Sequence, residues 1–197
     1  MKKSTVLYIL PLLLGISYFW IPRMDPDLGW HLLGGDYILR THQVPNIDFI
    51  NSTQGRWQDY HWLAQIFLAG AYKIYGFIGI QILISFLTTI IFLVASRFIF
   101  DCSKKFSTDS SEDNKLIYSG LILLLLSLGL NDFIQMRPQV LSFLFLIITF
   151  WQLICKKSKY ELLTVFILTT ILVNCHVYWI LLPFLWFMFS VIVNAVQ

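Results

Sequence analysis

The chain has 197 residues, of which 57% are hydrophobic and only 13% are charged, and its formal net charge is +3. A water-soluble domain carries about 25% charged residues, so the composition excludes an ordinary soluble fold. The basic residues cluster between long apolar runs, so the positive excess is a topology signal and no nucleic-acid partner is expected.

In chain order, the apolar runs predict six membrane-spanning helices: Thr5 to Ile21, Phe77 to Phe100, Leu116 to Leu130, Val140 to Cys155, Glu161 to Cys175, and Val177 to Val193. A crossing takes about 20 helical residues, so the short third and fifth runs imply tilt or local thinning. Lys2 and Lys3 precede the first run, as in a signal peptide. Tyr18, Phe19 and Trp20 stand where small residues would permit cleavage, which predicts an uncleaved anchor. The expected class is an all-α, polytopic transmembrane bundle forming a single membrane domain over 1–197.

Between the first two spans, the outer loop 23–76 is the only sizeable part outside the bilayer. Asp25 can cap a helix with Pro26 in its first turn, running through Leu28, Leu32 and Leu39 to about Arg40. Pro45 and Asn46 break the chain. A second helix is predicted after Asp59, where Trp62, Leu63, Ile66, Phe67, Gly70, Ala71 and Ile74 recur at helical spacing, and Gly76 can end it. Both read as amphipathic helices along the outer membrane surface, with Trp57, Tyr60 and Trp62 anchored among headgroups. The Ser-, Asp- and Lys-rich stretch 101–115 reads as a flexible cytoplasmic connector. Asn51-Ser52-Thr53 matches a glycosylation acceptor that matters only in a eukaryotic secretory pathway. Cys102, Cys155 and Cys175 show no paired framework and no metal-type spacing, and read as buried, inert thiols.

Alternating six spans gathers Lys2, Lys3, Arg97, Lys104, Lys105, Lys115, Lys156, Lys157 and Lys159 on one side, nine of the 14 basic residues. That side is assigned to the cytoplasm. The opposite side receives Arg23, Arg40, Arg56, Lys73 and Arg137, with Asp25, Asp27, Asp36, Asp48, Asp59 and Asp132 and all four histidines, His31, His42, His61 and His176.

The outer rim is therefore where chemistry is expected. Asp25 and Asp27 suit a helix start, yet that account leaves Asp27 and His31 on one face at i, i+4, beside Gly29, Gly34 and Gly35. Glycines weaken a helix unless a backbone or ligand approaches closely. His31 and His61, with the carboxylates, could join in holding a divalent cation, bond to a partner or sit at the interface. Arg137, in Met136-Arg137-Pro138-Gln139, either snorkels to headgroups or forks onto a phosphate. Asn174 and His176 either bond neighbouring helices or share a cavity with the aspartates. This one-sided distribution, open to lipid and to the outer compartment, suggests a lipid-borne substrate.

The run Asp25-Pro26-Asp27-Leu28-Gly29-Trp30-His31, followed by Gly35, resembles the first outer loop of the GT-C class of lipid-dependent glycosyltransferases. Val44-Pro45-Asn46-Ile47-Asp48-Phe49 and Trp57-Gln58-Asp59-Tyr60-His61-Trp62-Leu63 look like later parts of that loop. The resemblance is nearest to the bacterial branch related to protein O-mannosyltransferases and aminoarabinose transferases. Met136-Arg137-Pro138-Gln139 and Val173-Asn174-Cys175-His176 are similar to its later rim motifs, except that Val177 stands where a glycine often follows.

The resemblance implies a GT-C-like membrane enzyme that moves a sugar, with inversion, from a polyprenyl-phosphate carrier to an acceptor on the outer face. Its partners would be that lipid-linked donor and the surrounding lipids, in a bacterial cytoplasmic membrane with the N-terminus inside. Asp25 and Asp27 match the catalytic aspartate, acting as base or helping to hold a divalent cation such as Mg or Mn. Arg137 would stabilise the leaving phosphate, and His31, His61, Asn174 and His176 would line the substrate site. Members of the class carry more spans and a further C-terminal part, so these residues would correspond to the N-terminal portion of a larger fold. The alternative is a non-catalytic, multi-pass relative that binds a lipid carrier or a partner protein.

Overall fold

The fold is known from a computed structural model that describes residues 6–20, 23–48, 55–56, 58–106, 111–131, 133–156, 159–176 and 181–196. The described residues are all-helical: α1 (Val6–Trp20), α2 (Leu28–Thr41), α3 (Trp62–Phe106), α4 (Glu112–Leu130), α5 (Val140–Trp151), α6 (Glu161–Leu172) and α7 (Leu181–Val196). A five-residue π-turn, Gln152–Lys156, continues α5. One isolated antiparallel bridge, Ile47 with Arg56, ties the loop between α2 and α3.

α3 is the mast against which α1, α2, α4 and α5 pack, while α6 and α7 pack against α5 and each other. It is broken at Tyr75 (φ −137°) and Gly76 (φ +60°). Only glycine adopts that positive φ without steric cost, so the predicted helix end at Gly76 becomes a break between two helical pieces. Small and hydroxylated residues let α1 lie close along the second piece. A Cβ on Gly15 would stand 2.7 Å from Thr89 Cβ. Ser85 donates to the Gly15 carbonyl at 3.1 Å, and Ser96 to that of Leu7 at 3.0 Å. Such bonds between apolar helices are the usual glue where no water competes. Ile80, Ile91, Phe92, Leu123, Val140, Leu172 and Leu182 form the fully buried centre.

α2 buries Leu28, His31, Gly34, Gly35 and Ile38, a stripe at helical spacing, against the first piece of α3. A Cβ on Gly35 would meet the Gln65 carbonyl and stand 2.7 Å from Ala69 Cβ, whereas one on Gly29 would meet nothing within 4 Å. Gly35 thus admits the backbone of α3 and Gly34 the Gln65 side chain, whereas Gly29 serves neither.

Among the described residues two helices, α3 and α4, are long and apolar enough to cross a membrane. α4 buries only Ser119 and Leu123, leaving Leu121, Leu125 and Leu128 exposed. α6 has 12 residues and rises about 18 Å, short of a hydrocarbon core about 30 Å thick.

Three expectations need correction. The first outer helix starts at Leu28, because Asp25 and Pro26 form a preceding turn, with the Leu28 N–H on the Asp25 carbonyl at 3.1 Å. In the stretch 101–115, residues 101–106 end α3 and 112–115 open α4, where the Ser111 hydroxyl caps the Asn114 N–H at 3.2 Å; 107–110 lie outside the described residues. The thiols of Cys102 and Cys155 are half-buried and brought to 3.2 Å, a pairing that distance in the sequence concealed; Cys175 alone is fully buried. Trp57, Asp132 and Asn51-Ser52-Thr53 lie outside the described residues.

Candidate functional site

Two backbone bonds draw the rim together. The Met136 N–H donates to the Arg23 carbonyl at 3.1 Å, and the Leu63 N–H to the Asn174 carbonyl at 2.9 Å. The first brings the connection between α4 and α5 onto the start of α2. The second brings the end of α6 onto the start of α3. Ile134 and Met136 hold the former in place by burial in the core.

At the first junction Arg137 pairs with Asp25 through its Nε. The Asp25 side chain is 2% exposed, that of Arg137 34%. The other Asp25 oxygen accepts from the Asp27 N–H at 2.7 Å. The rest of the guanidinium fork donates to Gln135 Oε1 at 2.8 Å and Gln139 Oε1 at 3.2 Å. Gln139 is in turn held by donating to the Phe133 carbonyl at 2.7 Å. A carboxylate so deeply buried is tolerable because the arginine neutralises it. Asp27, two residues on, is exposed.

At the second junction three histidines form a row. The rings of His31 and His61 lie 5.2 Å apart and those of His61 and His176 5.5 Å apart, both edge-on. Trp30 covers His31 at 3.8 Å and meets His61 at 5.4 Å. His176 Nδ1 lies 3.3 Å from the Ser142 hydroxyl, while His31 Nδ1 has no hydrogen-bond partner. Burial, then His61, His176 and Arg137, pushes His31 down to about 3. Burial chiefly takes His176 to about 4. Burial also lowers His61, against the pull of the Asp59 and Asp27 carboxylates. The row is neutral at pH 7.

Asp59 anchors the row from below. Its Oδ1 accepts from the His61 N–H at 2.9 Å and from Gln65 Nε2 at 3.1 Å, and burial raises its carboxyl. The Trp62 indole N–H donates to Asn174 Oδ1 at 2.8 Å, and Asn174 Nδ2 to the Thr170 carbonyl at 2.8 Å. Trp62 is therefore a fastener in the rim, where a headgroup anchor was expected. Asn174 thus uses its amide oxygen and one amide N–H on protein partners.

Thus Asp25, Asp27, His31, His61, Arg137, Asn174 and His176 do gather at one end of the fold. His42 stands apart, exposed at the left-handed end of α2 (φ 56°). Asp59, Gln65, Gln135 and Ser142 were missed, as was the bonding role of Trp62. Asp59 and Trp62 lie inside the quoted motif Trp57–Leu63, and only their partners were invisible.

Arg137 also lines two cavities. One, of about 280 Å³, is almost wholly apolar and runs past Leu63, Leu83 and Leu87 of α3 and Val140, Leu141 and Phe145 of α5. The other, of about 530 Å³, adds Gln139 and Ser142 to an apolar wall. The residues do not fit a resident Mg or Mn ion: Asp25 is committed to Arg137. Among the described residues no trio of His, Cys, Asp or Glu is placed to hold a metal. Comparison with known protein families, with curated proteins and with solved structures finds no match for this chain.

Proposed function

We propose that this chain is a GT-C-like membrane glycosyltransferase that moves a sugar from a polyprenyl phosphate to an acceptor hydroxyl. The observation that supports the reading is the setting of Arg137. Arg137 lines an apolar groove suited to an alkyl chain, and its guanidinium pairs with Asp25 at the rim. A lipid phosphate needs both surroundings at once, an apolar channel for the tail and a planar cation for the head.

In this reading the acceptor oxygen attacks the anomeric carbon as the bond from that carbon to the phosphate oxygen breaks, inverting the centre. Asp27, the exposed carboxylate, takes the hydroxyl proton. Arg137 stabilises the charge that grows on the departing lipid phosphate. Asp25 positions Arg137, while the neutral histidines offer hydrogen bonds to sugar hydroxyls. The six-span topology, with the N-terminus in the cytoplasm of a bacterium and the rim outside, belongs to the same proposal and rests on the distribution of Lys and Arg.

The test is transfer of radiolabelled sugar from a polyprenyl-phosphate donor in liposomes containing the chain. Asp27→Asn should abolish transfer while donor binding persists. Full activity in that variant sinks the assignment. The second reading, a lipid-phosphate binder without turnover, is favoured by the groove and Arg137 alone. It predicts donor binding lost in Arg137→Gln and no transfer from any donor.

A further inference from the structure

The far end of α3 carries a second constellation that the sugar-transfer reading does not use. Cys102 Sγ and Cys155 Sγ lie 3.2 Å apart although 53 residues separate them. Both are half-buried. Two polar contacts cross the junction around them, and a third, within α3, holds Asp101 in place. Arg97 pairs with Asp101 at 3.2 Å, and the Trp151 indole N–H donates to Asp101 Oδ2 at 3.0 Å. Lys105 Nζ donates to the Ile154 carbonyl at 2.6 Å. Asp101, Cys102 and Lys105 thus present one face of α3 to Trp151, Ile154 and Cys155.

Cys155 sits in the π-turn Gln152–Lys156. Such wide turns are rare and cluster at functional positions, because they displace a side chain that a regular helix would place elsewhere. Here the thiol faces its partner on α3.

We propose that Cys102 and Cys155 form a redox-active dithiol that closes to a disulfide, fastening the end of α3 to the π-turn after α5. A disulfide has sulfurs about 2.05 Å apart, so closure needs an approach of about 1.2 Å from the present contact. The co-reactant is a low-molecular-weight disulfide. One cysteine thiolate attacks it, breaking its S–S bond, releasing one small thiol and leaving a mixed disulfide. The second cysteine attacks the first, displaces the remaining small thiol and completes the bond. Both cysteine protons leave, two electrons pass to the small disulfide, and the balance is one protein disulfide and two small thiols.

Burial and the neighbouring sulfur push the Cys102 thiol up to about 12.

The purified full chain in detergent, incubated with oxidised glutathione, tests this. The intact mass should fall by two hydrogens with no retained glutathione. After denaturation, maleimide should label one of the three cysteines, Cys175, and dithiothreitol should restore labelling of all three. Peptide mapping should join the segments holding Cys102 and Cys155. Cys155→Ser should instead hold glutathione on Cys102 as a persistent mixed disulfide. Cys175→Ala should still close. Labelling of all three cysteines after oxidation, or two separate glutathione adducts on the wild-type chain, overturns the proposal.

Discussion

Arg137 and Asp25 are worth most as a pair. Taking away the guanidinium leaves a buried carboxylate uncompensated, at a cost of about 3 kcal/mol, the low end for a buried pair since the arginine is partly exposed. Arg137→Gln should therefore lower the unfolding temperature in detergent. Adding Asp25→Asn should recover part of the loss, a coupling that a double-mutant cycle measures. The histidines set a pH dependence. His31 and His176 titrate far below an unfolded histidine at about 6.5, so below that pH the unfolded chain binds protons that the fold refuses. Stability is full above pH 6.5 and falls as the pH drops from there toward 4. The raised carboxyl of Asp59 acts in the opposite sense, gaining its proton in the fold first and offsetting part of the loss at the acid end. Thermal unfolding across pH 4–7 reads the slope, and His31→Gln with His176→Gln should flatten it. The residue types of this rim were legible in the sequence, because carboxylates, histidines and an arginine fell on one side of an alternating topology. Their pairing was not. Nothing in the spacing shows that Asp25 is consumed by Arg137 while Asp27 stays exposed.

At the scale of elements, α2 offers a direct test of why its glycines are there. Gly35→Ala would drive a methyl into the Gln65 carbonyl and Ala69, and should cost about 1–3 kcal/mol, the range for overpacking a tight contact. Gly29→Ala, in the same helix with open space around it, should stabilise by about 0.5 kcal/mol through lost freedom of the unfolded chain. Opposite shifts in unfolding temperature for two like substitutions would separate packing from propensity. The amphipathic period of α2 and the turn at Gly76 were readable because they are local, one a spacing and the other a residue that alone tolerates φ +60°. The closing contact between Cys102 and Cys155 was unreadable because it depends on how α3 crosses the π-turn. A π-turn leaves no period in the sequence.

For the whole molecule, the proposed six-span arrangement makes a prediction about sides. In a background lacking the three native cysteines, a cysteine replacing Gln43 should react with a membrane-impermeant maleimide added outside intact cells. One replacing Asn114 should react only after permeabilisation. Labelling of both from outside would break the topology.

The tie between Trp62 and Asn174 has a consequence in time. The two are 112 residues apart, and synthesis proceeds at about 5–20 residues per second, so the indole waits about 6–22 s for its acceptor. The same holds for Asp25, which meets Arg137 only after four helices have been made. The rim is thus a late product of translation, and the nascent outer loop must stay hydrated until its distant halves arrive.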